Sequence, residues 1–409
     1  MSTITTTTLE CGMTLVVEPM NAVRSVGFHW LLPGGIARDP ADRIGLSTLW
    51  EEMLLRGAGE RDSRAIADAF DTLGISRATG TETFTSSVRA TALGARLDDA
   101  LPLLVDMVRA PAFNDLAASR DLCLQALDSL LDNPQERLFL SLRAAHAPTP
   151  INRATQGTRE GIEAVTEEDL RLWSSRAVPE GAILAVAGDV DPNHIADRLN
   201  TLLEGWTGTA TDLSWNDDAP RGMHHEPDQT DQTHIAIAMD APPETDETNA
   251  WLCRVATAVL SGGMSGRLFT EVREKRSLCY AVYATYGAEA RYGRVVAYSG
   301  TTPDRAQETL DVLLSELQRI RTPEGRITPD EFRRAVVGLK SRLVFSGESS
   351  AARAAALAGD IRKLGRARSL DEMAERIDAV TLDDLNASLE GQGLGTITVA
   401  TIGRDELRL

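Results

Sequence analysis

Residues 45–57, GLSTLWEEMLLRG, place Leu46, Leu49, Trp50, Met53 and Leu54 at i, i+3, i+4, i+7 and i+8. That spacing predicts a helix with one buried face. Thr48, Glu51 and Glu52 gather on another face of the same helix. The pattern around it is mixed. GMTLVVEP and SVGFHWLL read as strands, 62–73 as a second helix, and 83–92 as an alternating strand. Helical patterns follow at 96–109, 115–131 and 166–175, and an apolar strand closes the stretch at 182–189. Long helices after an antiparallel meander predict an α+β fold, with helices on one face of a sheet.

The scheme then repeats. AVTEEDL precedes the strand AILAVAGDV, and AVTLDDL precedes TITVATIGRD; Thr166 to Thr381 and Gly188 to Gly403 are both offsets of 215. The amphipathic helices at 96–108 and 305–317, and the helical stretches at 114–134 and 332–350, also occupy matched places. The second copy supplies a strand at 235–242, a helix at 246–260, the segment LFTEVREK and a strand pair within 279–300. A duplication into half-domains 1–207 and 233–409 follows, each a mostly antiparallel sheet with helices on one face. The polar stretch 208–232, without periodicity, reads as a linker.

Composition narrows the function classes. A net charge of −18 over 409 residues disfavours duplex DNA and anionic membranes, which demand a basic footprint. No apolar run reaches the length of a membrane span. The N-terminal MSTITTTTLECGMTL lacks a basic and then apolar leader, so cytoplasm is the expected location, or periplasm if a signal was removed. Cys11, Cys123, Cys253 and Cys279 show neither zinc-ribbon nor disulfide spacing and read as buried free thiols. His224 and His225 are adjacent in the linker, and His29, His146, His194 and His234 are isolated, so they suggest no metal site. SGGMSG at 261–266 lacks the phosphate-loop pattern and reads as a turn before a helix.

Several motifs in order resemble the pitrilysin/insulinase family of inverted-motif zinc peptidases, which includes mitochondrial processing peptidase. They are LECGMTLVVEP, LLPGGIARDP, LGISRATGTETFTSSV, AVAGDVDPNHI and, most specifically, SGGMSGRLFTEVREKRSLCYAVYATY. The resemblance spans essentially the whole chain. In that family the helix corresponding to 45–57 carries H-x-x-E-H: two imidazoles hold zinc and the Glu activates water. Here the pattern is T-x-x-E-E, so Thr48 and Glu52 stand at the histidine positions and Glu51 at the catalytic carboxylate. Counting back from Asp132-Asn133-Pro134, the third ligand position falls at or near Ala126.

The resemblance therefore implies no metal and no cofactor in this chain. Glu51 and Glu52 otherwise read as a solvated helix face or as a remnant carboxylate pair; a hard cation there would lack a converging third carboxylate. The resemblance also implies a catalytic role for Arg273 and Tyr280, the family's Arg/Tyr pair, although Ser277 replaces the usual Gly and Cys279 the usual small residue before Tyr280. On residues alone, Arg273 reads as a helix ion-pair partner and Tyr280 as a core strand residue. The strand at 75–84, with Arg77 in place of the family's Asn and with Thr79, Glu82 and Thr83 kept, is implied to hold extended peptide by edge pairing.

Together these imply the zinc-less subunit of a heterodimeric peptidase. Its partner would carry H-x-x-E-H and the zinc, and its substrate would be a peptide or unfolded segment. A homodimer of the isolated chain is left open, and a catalytically inactive scaffold is the alternative.

Overall fold

The computed structural model describes residues 3–210 and 213–409. The first half of the chain contains strands β1 (Thr5–Thr8), β2 (Thr14–Pro19) and β3 (Ser25–Pro33), then helix α1 (Leu46–Met53). A short ribbon of β4 (Gly57–Ala58) and β5 (Arg61–Asp62) leads into α2 (Ser63–Thr72), β6 (Ser76–Thr81) and β7 (Thr85–Leu93). Helices α3 (Leu97–Arg109), α4 (Leu116–Leu131), α5 (Pro134–His146), α6 (Arg159–Ala164) and α7 (Glu167–Ser174) follow, then β8 (Ile183–Gly188) and α8 (Pro192–Leu202). The second half contains β9 (Gly222–Pro227), β10 (Thr233–Ala241), α9 (Glu247–Ser261), β11 (Cys279–Ala288), β12 (Gly293–Thr301) and α10 (Ala306–Arg319). It ends with α11 (Pro329–Gly347), α12 (Ser350–Leu364), α13 (Leu370–Ala379), α14 (Leu382–Leu389) and β13 (Thr398–Gly403).

The duplication is visible in the hydrogen-bond ladders. One sheet runs β1-β2-β8-β3-β7-β6 and the other β9-β13-β10-β12-β11. Each contains one parallel pair, β2 with β8 and β9 with β13, beside four antiparallel pairs in the first sheet and three in the second. The offset of 215 has a local cause as well. Thr166 caps α7 by accepting from Asp169 N, and Thr381 caps α14 by accepting from Asp384 N. A Thr N-cap three residues before an Asp satisfies one of the helix's free N–H groups, so both copies start this helix in the same way. Gly188 and Gly403 end the matched strands β8 and β13.

The halves are not contiguous in sequence. One compact unit is 1–130, 149–216 and 346–368; the other is 131–148, 217–345 and 369–409. Helix α5 thus belongs to the second unit and α12 to the first. The linker expected at 208–232 is partly strand, since β9 pairs with β13 from Thr398↔Gly222 to Gly403↔Pro227; residues 211 and 212 of it lie outside the described residues.

The main helical layer lies on one face of each sheet. In the first unit Val26, Phe28, Trp30 and Leu32 of β3 point into that core with Leu49, Trp50 and Met53 of α1. The opposite face, bearing Val16, Leu31 and Ala185, is covered by Ala354, Leu357 and Ala358 of α12. The second unit repeats this: Ile235 and Ile237 face the main core, while Ala236 and Ala238 meet Leu138 and Leu142 of α5. At the α12 contact the helix comes so close that a Cβ on Gly27 would fall 2.6 Å from the Ser350 and Ala351 backbone.

Candidate functional site

Helix α1 is held against its sheet by Leu46, Leu49, Trp50 and Met53, all buried. Its entry is fixed by Asp39, whose carboxylate accepts from the Gly45 and Ser47 N–H groups at 2.6 and 3.0 Å. Gly45 adopts φ of 113°, a left-handed conformation that suits Gly at this tight entry.

The other face of α1 is half-buried and its side chains are engaged within the chain. The Thr48 hydroxyl donates to the Thr155 carbonyl at 2.6 Å. The Glu52 carboxylate accepts from Arg56, one turn on, at 2.5 Å. Glu51 is tucked in beside them, and its Oε2 is buried without a hydrogen-bond partner among the described residues. Burial, reinforced by the charge of Glu52, pushes the Glu51 carboxyl up to about 7, while Thr79 and Arg89 pull the other way.

The remaining sequence-derived positions divide. Ala126, on α4, is exposed. The α4 residue that feels Glu52 and Glu51 is Cys123, one turn earlier, whose thiol is pushed up to about 12 chiefly by burial and then by those two charges. Counting from the Asp-x-Pro corner sets the register too loosely to separate the two positions. Cys123, Arg56 and Arg89 are therefore the residues of this face that the sequence reading misses. The i, i+4 spacing of Glu52 and Arg56 is the signal that could have found one of them.

This donor set does not fit zinc. One hydroxyl is spent on a backbone carbonyl, one carboxylate is neutralised by a guanidinium, and the thiol is held protonated, whereas such sites use neutral imidazoles and free carboxylates. Among the described residues no three His, Cys, Asp or Glu side chains are grouped to hold a metal ion.

The raised Glu51 makes a pH prediction. Its folded pKa lies above the unfolded value, so the folded state holds the proton more tightly, and stability falls as pH rises from about 4.5 to about 7. Glu51→Gln removes that loss. The variant is expected to exceed the parent by roughly 3 kcal/mol at pH 8 and by little at pH 4.5, read by urea denaturation at both pH values.

Beside α1 runs β6, an edge strand that pairs only with β7. Arg77, Thr79 and Thr81 alternate onto one side: Arg77 lies 4.5 Å over the Phe70 ring, and the Thr81 hydroxyl donates to the Ser47 carbonyl. Glu82 and Thr83 lie beyond the strand, in the turn to β7. Their carbonyls accept from Ile36 and Ala37 at 3.1 and 2.8 Å. Gly35, at φ of 72°, fits against this turn because a Cβ there would meet the Glu82 carbonyl at 2.5 Å. Only 76–81 therefore offers edge backbone.

In the second unit the Arg/Tyr pair is assembled by a helix-to-strand junction. A π-helical turn over Phe269–Glu274 carries Arg273, and β11 begins at Cys279. The connection passes through Ser277 at φ of 53°, the left-handed region that favours Gly, the residue the resemblance leads one to expect there. The β11–β12 register shifts between Cys279 and Ala281, and this bulge leaves Tyr280 unpaired on the edge strand. Tyr280 is 81% exposed, which rules out the core reading. Its hydroxyl has no partner among the described residues. Arg273 donates to the Tyr280 carbonyl at 2.8 Å, with its guanidinium 4.7 Å from the Tyr280 ring and 4.8 Å from that of Phe269. The arginine is thus fixed in place by stacking and one hydrogen bond, not by an acid. Two donors, one cationic and one phenolic, stand together on an exposed edge.

Residues 24–159 match the insulinase family (peptidase family M16), and residues 165–339 match the peptidase M16 inactive domain. The chain is 28% identical to an uncharacterized zinc protease of Streptomyces coelicolor, covering 94% of this chain and 86% of that one. Its fold is similar to the crystal structure of a peptidase M16 inactive domain from Pseudomonas fluorescens (TM-score 0.87, 20% identity, 99% of each chain covered). It is also similar to a chain of complex III from Candida albicans (TM-score 0.83, 18% identity, 98% and 96% covered). The motifs in order, the duplicated sheets and these matches agree: the chain belongs to the insulinase family of peptidases, family M16.

Proposed function

We propose that this chain is the non-zinc-binding subunit of a heterodimeric zinc peptidase. Its partner is a homologous subunit that carries H-x-x-E-H, the zinc and the general base. This chain contributes Arg273 and Tyr280 to the hydrolysis of peptides or unfolded segments. The observation that carries the reading is a contrast. The α1 face is closed off by its own hydrogen bonds and ion pair, while the Arg/Tyr pair is held ready on an exposed bulge. A guanidinium can hold a substrate carbonyl, and a phenol can donate to the oxyanion of a tetrahedral intermediate. Edge strand β6, with Arg77 and Thr79 along it, is suited to hold an extended peptide by backbone pairing. Bound zinc in the partner would polarise the carbonyl and activate water.

Co-expression with a neighbouring reading frame that encodes H-x-x-E-H tests this reading. A stable one-to-one complex with zinc in the partner alone is the expected product; zinc retained by this chain purified by itself contradicts it.

A second reading, a non-catalytic scaffold, draws on the likeness to the complex III chain and on the engagement of Arg273 Nη1 with its own backbone. It predicts that a complex forms but does not depend on Arg273 or Tyr280 for any activity.

A further inference from the structure

The second unit contains a pocket of about 260 Å³ between α9, the ends of α10 and α14, and the end of β10. Leu252, Leu260, Leu317 and Leu389 form much of its wall, and Arg321 enters it just past the end of α10. Arg321 Nε is buried without a hydrogen-bond partner, and Nη1 reaches the Gly393 carbonyl at 3.4 Å, a long contact. Burial lowers the pKa of this guanidinium, and the neighbour that opposes the shift is the Cys253 thiol, not a carboxylate.

Arg321 as a whole is half-buried, and the fully buried arginines are treated differently. Arg267 meets Glu331 at 2.7 Å, Arg353 meets Glu18 at 2.5 Å and Arg368 meets Asp360 at 2.5 Å. A desolvated charge without a counter-ion is costly, so proteins pair such groups. Asp240, also on the pocket lining, is already spent, since both its oxygens accept from Arg221 at 2.5 and 3.0 Å. The neighbouring Cys253 thiol is pushed up to about 11 by burial and stays neutral. The pocket therefore presents a mixed wall, leucines on one part and Asn249, Thr257, Ser388 and Gln392 on another, with a guanidinium that no carboxylate pairs.

We propose that this pocket binds a small monocarboxylic acid with a medium-length hydrocarbon body, its carboxylate on Arg321 and its tail among the four leucines. The guanidinium fork matches the two oxygens of one carboxylate, and the apolar wall accepts the chain. A single cation argues against phosphate-rich ligands, which gather several basic groups. The proposal is independent of the peptidase reading, because it uses neither Arg273, Tyr280 nor a partner.

Titration calorimetry of the full chain with octanoate, octylammonium and 1-octanol tests it. Octanoate is expected to bind once per chain, at least about tenfold more tightly than the other two, as a charge-assisted hydrogen bond implies. Arg321→Met should reduce octanoate to the level of octanol. Ala256→Phe, which fills the pocket and leaves the guanidinium in place, should abolish binding. Absence of saturable octanoate binding, or equal binding of octylammonium, overturns the proposal on the unaltered protein. Full octanoate affinity in folded Arg321→Met or Ala256→Phe overturns it as well.

Discussion

In a reconstituted complex with the H-x-x-E-H subunit, Arg273→Ala and Tyr280→Phe in this chain are each expected to lower kcat/KM for peptide cleavage by about 10²–10³, the usual cost of losing one oxyanion donor. The geometry explains why the loss should be large. The bulge at Cys279/Ala281 puts the Tyr280 phenol into solvent without an internal partner, so its donor is free for substrate. The Arg273 guanidinium is held between two rings and fixed to the Tyr280 carbonyl through one nitrogen, which leaves other N–H groups to hold a carbonyl. Such placement lowers the entropy lost on reaching the transition state. Assembly should be unchanged in both variants, measured by size-exclusion chromatography, while steady-state cleavage falls. A scaffold role would leave cleavage at the full rate.

The second large effect concerns the exchanged helix. Arg353 of α12 donates through Nε to Glu18 of β2 at 2.7 Å, and both side chains are almost wholly buried. Removing one partner of such a pair leaves a desolvated charge and costs about 3–5 kcal/mol. Arg353→Ala is expected to destabilise the first unit by that amount. The double variant Glu18→Leu with Arg353→Met, which removes both charges, should recover most of the loss. Tryptophan fluorescence in urea reads the right unit: Trp30, Trp50, Trp173, Trp206 and Trp215 lie in the first unit and only Trp251 in the second. A loss confined to the second unit, to which sequence position would assign residue 353, contradicts the exchange.

Much of the fold was legible because it is written in local patterns. The α1 face, the Thr N-caps of α7 and α14, and the Gly-terminated strands β8 and β13 each have a short-range physical signature, so the duplication emerged from their spacing. The exchange of α5 and α12 has none. The apolar runs AILAVAG and IAIAM are of the kind found in sheets covered on both faces, a signal that the expectation of helices on one face does not use. They do not identify the covering helix, because docking is decided by long-range packing of small residues such as Gly27 and Ala354. The expected polar linker contained β9 because an edge strand with one partner shows little apolar alternation.

The site was legible in part. Arg273 and Tyr280 are singled out by the family resemblance, whereas residue type alone suggests an ion pair and a core position; the exposure of Tyr280 comes from a bulge that residue type does not encode. The fate of Glu51 and Glu52 also required three dimensions. Their helix face looks solvated in sequence, yet Cys123, Arg56 and β6 flank it and leave it half-buried.

The central claim is a division of labour between two chains. It is tested most directly by measuring cleavage of an internally quenched peptide, with zinc present, by this chain alone, by its H-x-x-E-H partner alone and by the equimolar mixture. The account predicts turnover in the mixture, little from the partner alone and none from this chain. Zinc-dependent turnover by this chain alone, or full turnover by the partner without it, would contradict the account.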